Sequence, residues 1–158
     1  MTMIFFSPSR GRMTLEQVGE DILDYVSEDT SLPYKLIVGS DSQLREATCF
    51  VTAIIIHRIG KGARYYYTKK HMQKMGSVRQ RIFYEASLSL STADRLVHLL
   101  HQHGRDDLEV EIHLDVGLRG DTRDLIKDII GMIVGSGFDA KIKPEACGAS
   151  KVADKYTK

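Results

Sequence analysis

The spacing of apolar residues predicts four helices. Leu15, Val18 and Ile22 lie three or four positions apart, as on one face of a helix, and a Thr14–Gln17 capping box begins that series. A second capping box, Ser77–Gln80, begins the longest series. The predicted helices run from Thr14 to about Glu28, from Ser77 to about Gln102, from Asp121 or Thr122 to Ile133, and from Ala149 to Tyr156.

Runs of apolar and β-branched residues between these helices predict five strands. Leu36-Ile37-Val38 is continuous rather than alternating, which is typical of a central strand buried on both faces. Gly60-Lys61-Gly62 predicts a tight turn that joins the second and third strands as a hairpin. The predicted strands are Lys35–Asp41, Ala47–Arg58, Ala63–Lys70, Glu109–Asp115 and Phe138–Lys143.

The order of these elements predicts an α/β fold. After the N-terminal helix the order is βββαβαβα, so three strands form an antiparallel meander and two more are reached through helical crossovers. We expect a five-stranded mixed sheet with the first strand in the middle and helices on both faces. We also expect a single domain over residues 1–158, with the helix at 14–28 as a decoration.

Length and composition exclude several classes of protein. The chain has 158 residues, 42% hydrophobic and 27% charged, so it is neither a disordered tail nor a low-complexity linker. No uninterrupted apolar run is longer than Ala53–Ile56, whereas a membrane span needs about 20 residues. Cys49 and Cys147 cannot build a disulfide framework, and neither lies in a Cys-x-x-Cys motif. We therefore expect a cytoplasmic protein without membrane association.

Basic residues concentrate in one segment, although the formal net charge is only +1. Between Ala47 and Tyr84 there are eight Lys and Arg residues and no Asp or Glu, so the rest of the chain carries −7. Together with Tyr65-Tyr66-Tyr67, this indicates a surface for a polyanion, and nucleic acid is the expected partner. The alternative is a solvated hairpin balanced by acidic helices elsewhere. Candidate contacts for nucleic acid are Lys69, Lys70, Arg79, Arg81, Lys143 and Lys151.

Two aspartates follow predicted strands. Asp41 ends the first strand and Asp115 ends the fourth. If these strands are parallel neighbours, both carboxylates leave the sheet at its C-terminal edge, side by side at a topological switch point where α/β sheets bind ligands. The alternative is that each Asp serves only as a turn former.

Two further carboxylates are candidates for the same site. Glu85 lies on the predicted packing face of the long helix, three residues after Ile82 and four before Ser89. A buried carboxylate is costly unless it is paired or bound to a cation, and a salt bridge to a nearby arginine is the alternative. Asp154 lies in the predicted last helix and by itself is an ordinary surface residue. Carboxylates from distant segments are what Mg²⁺ or Mn²⁺ requires, as one ion or as a pair that activates phosphodiester displacement.

Five short motifs are spread along nearly the whole chain: Gly39-Ser40-Asp41-Ser42-Gln43, His57–Gly62, Asp115-Val116-Gly117 with Gly120, Lys143-Pro144-Glu145 and Val152-Ala153-Asp154-Lys155. With these motifs the chain resembles the ribonuclease H-like superfamily, and most closely its bacterial YkuK-type members. The resemblance implies a catalytic and metal-binding set of Asp41, Glu85, Asp115 and Asp154, in that order along the fold. Ser42-Gln43 follows Asp41 where ribonucleases H have Gly-Ser, and Gln43 replaces a glutamate typical of the exonucleases, which disfavours an exonuclease.

The expected function is therefore a divalent-metal-dependent nuclease that hydrolyses phosphodiester bonds of nucleic acid. Mg²⁺ or Mn²⁺ is the expected cofactor, as one or two ions. Two other functions stay open. The first is a non-catalytic nucleic-acid-binding module of the same fold, and the second is a hydrolase of a small phosphorylated metabolite.

Overall fold

The structure, a computed structural model, describes residues 3–118, 120–143 and 145–146. Seven strands and three helices make up the described part, with a short 3-10 turn at Gly120–Thr122 before the last helix. The strands are β1 Ile4–Ser7, β2 Gly11–Thr14, β3 Tyr34–Leu44, β4 Thr48–Arg58, β5 Ala63–Met72, β6 Glu109–Leu114 and β7 Asp139–Lys141. The helices are α1 Leu15–Glu28, α2 Val78–Gln102 and α3 Arg123–Gly135.

The strands form one mixed sheet in the order β2-β1-β5-β4-β3-β6-β7. The prediction of a mixed sheet is confirmed: β3, β4 and β5 are an antiparallel meander, whereas β3–β6 and β6–β7 are parallel pairs. In the predicted hairpin turn, Gly60 and Gly62 have φ of 85° and 106°, which favour glycine. The predicted first strand, β3, lies in the middle of the five predicted strands.

The prediction of five strands was wrong by one hairpin. β1 and β2 pair antiparallel at the N-terminus, and β1 continues the sheet beyond β5 through a Phe6–Tyr67 pairing. Each strand has only four residues, too few for an alternating pattern to stand out. The hairpin is stabilised by burial of Phe5 and Met13. That burial depends on distant parts of the chain, so the local sequence does not indicate it.

The main hydrophobic core lies between one face of the sheet and the helices. Alternate residues of the central strands, including Leu36, Val38, Ile54 and Ile112, pack in one cluster with side chains of all three helices. α1 contributes Val18, Ile22, Tyr25 and Val26 to this cluster. The Thr14–Gln17 capping box predicted for α1 is present in both directions, at 2.8 and 3.2 Å.

The opposite face of the sheet carries a smaller cluster of Ile37, Ile55 and Tyr65. The three described helices contribute to the core on the first face. The fourth predicted helix, at 149–156, lies outside the described residues. A helix on the second face of the sheet therefore stays a prediction. Over the described part of the chain, no helix is long and apolar enough to cross a membrane.

Candidate active site

Asp41 and Asp115 come to the same edge of the sheet, as predicted. The parallel register pairs Ser40 of β3 with Leu114 of β6, and the two aspartates are the next residues of their chains. β3 continues past Asp41 to Leu44, whereas β6 ends at Leu114. Asp41 therefore lies within a strand, paired with Val51 of β4, and Asp115 begins a loop.

Small hydroxyl side chains bring α2 close to this edge. The Ser40 hydroxyl lies 2.8 Å from that of Ser89 on α2 and 2.9 Å from that of Thr52 on β4. All three residues are buried. A larger residue at Ser89 would push α2 away from the sheet. The small hydroxyl residues therefore keep α2, and with it Glu85, close to β3.

Glu85 lies four residues before Ser89 and faces the end of β3. The Ser42 hydroxyl donates to its carboxylate at 2.5 Å. Burial raises the pKa of Glu85 to about 7, the Ser42 hydrogen bond opposes that rise, and the negative charges of Asp41 and Asp115 add to it. Arg81, one turn earlier on α2, acts in the opposite direction. Three carboxylates from α2, β3 and the end of β6 therefore interact electrostatically.

Lys143 is in direct contact with one of these carboxylates. Its ammonium lies 3.1 Å from a carboxylate oxygen of Asp115, and its backbone N–H donates to the carbonyl of Val116 at 2.9 Å. The Lys143 side chain is 57% exposed and that of Asp115 is 30% exposed. An exposed pair of this kind stabilises the fold weakly and can open without a large cost.

The chemistry of the donor set fits a hard divalent cation. Carboxylate oxygens are the ligands that Mg²⁺ and Mn²⁺ prefer, and excess negative charge favours cation binding. In the described part of the chain, however, no group of three or more His, Cys, Asp and Glu side chains is arranged to hold an ion. Asp154, the fourth predicted ligand, lies outside the described residues. Metal binding thus stays a prediction for Asp41, Glu85, Asp115 and Asp154.

The predicted nucleic-acid contacts divide between two places. Arg81 lies beside Glu85, and its Nε is buried without a hydrogen-bond partner. Arg79 donates to the backbone carbonyl of Asp121 at 2.9 Å, which ties the start of α2 to the loop after β6. Lys69 and Lys70 lie on β5, two strands from β3. Lys151 lies outside the described residues.

Two features of this site escaped the sequence reasoning. The sequence motifs assign no role to Ser42, yet it donates the hydrogen bond that holds the Glu85 carboxylate. Val78 has the same helical spacing from Ile82 as a core residue, yet it is 52% exposed. Alternation along β3 carries the signal for Ser42, since Leu36, Val38 and Ser40 also face the helices.

Comparisons with known proteins agree with this fold. The Ribonuclease H-like family model matches residues 17–158. The uncharacterized protein YkuK of Bacillus subtilis (strain 168) is 36% identical over 173 aligned positions, which cover 99% of this chain and 98% of that protein. No solved structure matches the chain significantly. The resemblance found in the sequence motifs is confirmed by both matches.

Proposed function

Because the chain belongs to the ribonuclease H-like family, we propose that it is a divalent-metal-dependent nuclease acting on phosphodiester bonds of nucleic acid. The observation that carries this proposal is the electrostatic coupling of Glu85 with Asp41 and Asp115. Bringing three carboxylates to one edge of the sheet is costly because their charges repel, and a bound cation would offset part of that cost.

Asp41, Glu85 and Asp115 would hold the ion, and Asp154 is the proposed fourth ligand. Bound Mg²⁺ or Mn²⁺ would activate water and stabilise the charge that develops on the phosphoryl oxygens. Ser42 would keep the Glu85 carboxylate oriented toward β3 through its hydrogen bond. This orientation matters because small displacements of a catalytic group cost large factors in rate.

Basic side chains at the edge of the site would hold the nucleic acid backbone. Lys143 can move from Asp115 to a phosphate, since the pair is exposed to solvent. Arg81 lies on the same side of α2 as Glu85 and retains an unpaired Nε–H. Contacts of this type fix the position of the strand and carry no base specificity.

The test is cleavage and metal binding measured on the same variants. Labelled single-stranded and double-stranded DNA and RNA are incubated with Mg²⁺ or Mn²⁺, and binding of each metal alone is followed by calorimetry. We expect Asp41→Asn and Asp115→Asn to lose cleavage by at least 100-fold and to lose metal binding. Asp128→Asn, an exposed position on α3, is the matched control and should behave as wild type. Full activity in Asp41→Asn would overturn the proposal.

A non-catalytic nucleic-acid-binding module is the second candidate. The pairing of Asp115 with Lys143 favours it, since this carboxylate already has a cation from the protein. This module would bind nucleic acid with a strong dependence on salt and without a dependence on metal. Salt-dependent binding with no cleavage of any of the four substrates would support it over the nuclease.

A further inference from the structure

A groove on the helical side of the sheet lies next to the carboxylates and is separate from them. It has a volume of about 430 Å³ and runs between α2 and the strands β1, β4 and β5. The apolar side chains that line it on the helical side are those of Met3, Phe50 and Leu88. This volume falls within the range of about 300–1,000 Å³ typical of sites for small organic groups.

The rim of this side groove is positively charged. Lys70 of β5 lies on one side and Arg95 of α2 on the other, both exposed, whereas the Lys69 side chain points to the opposite face of the sheet. No Asp or Glu is among the described residues that line it. Lys70 also lies over the ring of Tyr84, 5.4 Å from its centre, which holds the ammonium at the groove mouth. An apolar lining with a cationic rim fits a ligand with one flat apolar part and one anionic part.

The side groove lies beside the proposed active site. Across the sheet, Ser42 pairs with Phe50, and Phe50 pairs with Lys70. Two strand spacings separate Ser42 from Lys70, which is about 10 Å. Phe50 packs edge-on against Tyr84, and Tyr84 precedes Glu85 on α2. A ligand in the groove therefore lies beside the carboxylates and leaves them accessible.

We propose that the side groove holds one nucleotide of a single-stranded nucleic acid whose neighbouring phosphodiester lies at the carboxylates. The base packs against Phe50 and Leu88, and the phosphates of the nucleotide contact Lys70 and Arg95. A duplex base pair does not enter a groove of this volume, so the strand must be single at this point. The proposal rests on the proposed function and adds to it a substrate class and a subsite.

Binding without metal tests the side groove independently of cleavage. The probe is a fluorescein-labelled hexathymidylate, with anisotropy measured in EDTA over a range of salt. Ser91→Trp fills the groove from an exposed helical position, and Ser27→Trp, exposed on α1, is the control of equal bulk. The double variant Lys70→Gln/Arg95→Gln removes two rim charges, and Lys127→Gln, exposed on α3, is the charge control.

We expect Ser91→Trp to weaken binding at least tenfold while Ser27→Trp leaves it unchanged. Loss of two phosphate contacts should lower the slope of log K against log salt by about 1.4, at about 0.7 per contact. Hexathymidylate should also bind at least tenfold more tightly than thymidine 5′-monophosphate. Unchanged binding in Ser91→Trp, or no binding by wild type, would overturn the inference. Equal affinity for the monophosphate would instead assign the groove to a free nucleotide and also overturn it.

The two proposals fail in different ways. Asp128→Asn, on the exposed side of α3, should bind hexathymidylate in EDTA as wild type does, because the groove lining does not include Asp128. Groove-dependent binding without any metal-dependent cleavage would reject the nuclease and leave the subsite standing. Cleavage that Asp41→Asn abolishes, with binding insensitive to Ser91→Trp, would reject the subsite alone.

Discussion

Two acidic side chains that face the interior, Asp21 of α1 and Glu85 of α2, have opposite surroundings. Asp21 is 3% exposed and receives a hydrogen bond from Tyr66, while Arg10 and Arg64 each lie 3.2 Å from its carboxylate. Among the described residues, Ser42 donates a hydrogen bond to Glu85, and the negative charges of Asp41 and Asp115 act on its carboxylate. In the same part of the chain, two guanidinium groups form ion pairs with Asp21, whereas Arg81 acts on Glu85 through its charge.

This difference distinguishes an acid paired with cations from an acid placed among like charges. Asp21 joins α1 to the N-terminal hairpin through Arg10, and to β5 through Arg64 and Tyr66. Groups of the fold therefore compensate its charge. Burial and two neighbouring negative charges instead raise the pKa of Glu85 to about 7. A raised carboxyl pKa among like charges indicates a candidate site better than burial alone does.

The largest expected effect is on Asp21. Asp21→Asn should lower the free energy of unfolding by about 3 kcal/mol, because it leaves two guanidinium groups and the buried Tyr66 hydroxyl without their common partner. Urea unfolding measures the change. Asp24→Asn, exposed on the same helix, is the control and should stay within about 0.5 kcal/mol of wild type. Equal free energies of unfolding for Asp21→Asn and Asp24→Asn would show that the ion pairs of Asp21 do not stabilise the fold.

The next effect concerns Glu85 and has the opposite sign. Its pKa rises from 4.5 to about 7 on folding. Between these values the unfolded chain loses the proton while the folded protein keeps it, so stability falls as pH rises from 4.5 to about 7. Below pH 4.5 the penalty is absent. Glu85→Gln should therefore have a higher free energy of unfolding than wild type at pH 8. The difference is at most about 3 kcal/mol, and solvent screening reduces it.

Thermal unfolding of wild type and Glu85→Gln at pH 4, 6 and 8 measures this gap. It should be close to zero at pH 4 and largest at pH 8. Millimolar Mg²⁺ should narrow it at pH 8, because an ion bound to the folded wild type stabilises only that protein. A gap that does not change with pH would contradict the origin assigned to the Glu85 pKa.

The smallest effect sharpens the role of Ser42. The Ser42 hydrogen bond lowers the pKa of Glu85 and so opposes the effect of burial. Ser42→Ala removes this hydrogen bond, so the pKa of Glu85 should move further above its ordinary value. The shift is read from the carboxyl carbon of Glu85 by NMR titration. Ser87→Ala is the control, since that hydroxyl donates to the backbone of Phe83 on the exposed side of α2. A pKa that stays the same in Ser42→Ala would show that the hydroxyl does not hold the charged carboxylate.

Much of the fold follows from local sequence patterns. The caps at Thr14 and Ser77, the turn at Gly60–Gly62 and the end of α2 at Gln102 all lie where the sequence predicts them. The pairing of β3 with β6 follows from the crossover rule, and it brings Asp41 beside Asp115. The N-terminal hairpin was missed because its register depends on burial of Phe5 and Met13 against distant residues.

The sequence by itself determined the order of helices and strands, because periodicity, caps and turn residues act within a few positions of one another. Only the tertiary structure decided the surroundings of each acid. Asp21 and Glu85 both lie on helical stripes that face the core, and no local pattern distinguishes them. Arg10, Arg64 and Tyr66 come from other segments to surround Asp21. Asp41 and Asp115 come from other segments, and their charges act on Glu85. Charge compensation is a sum over neighbours in space, and these neighbours are far apart in the chain.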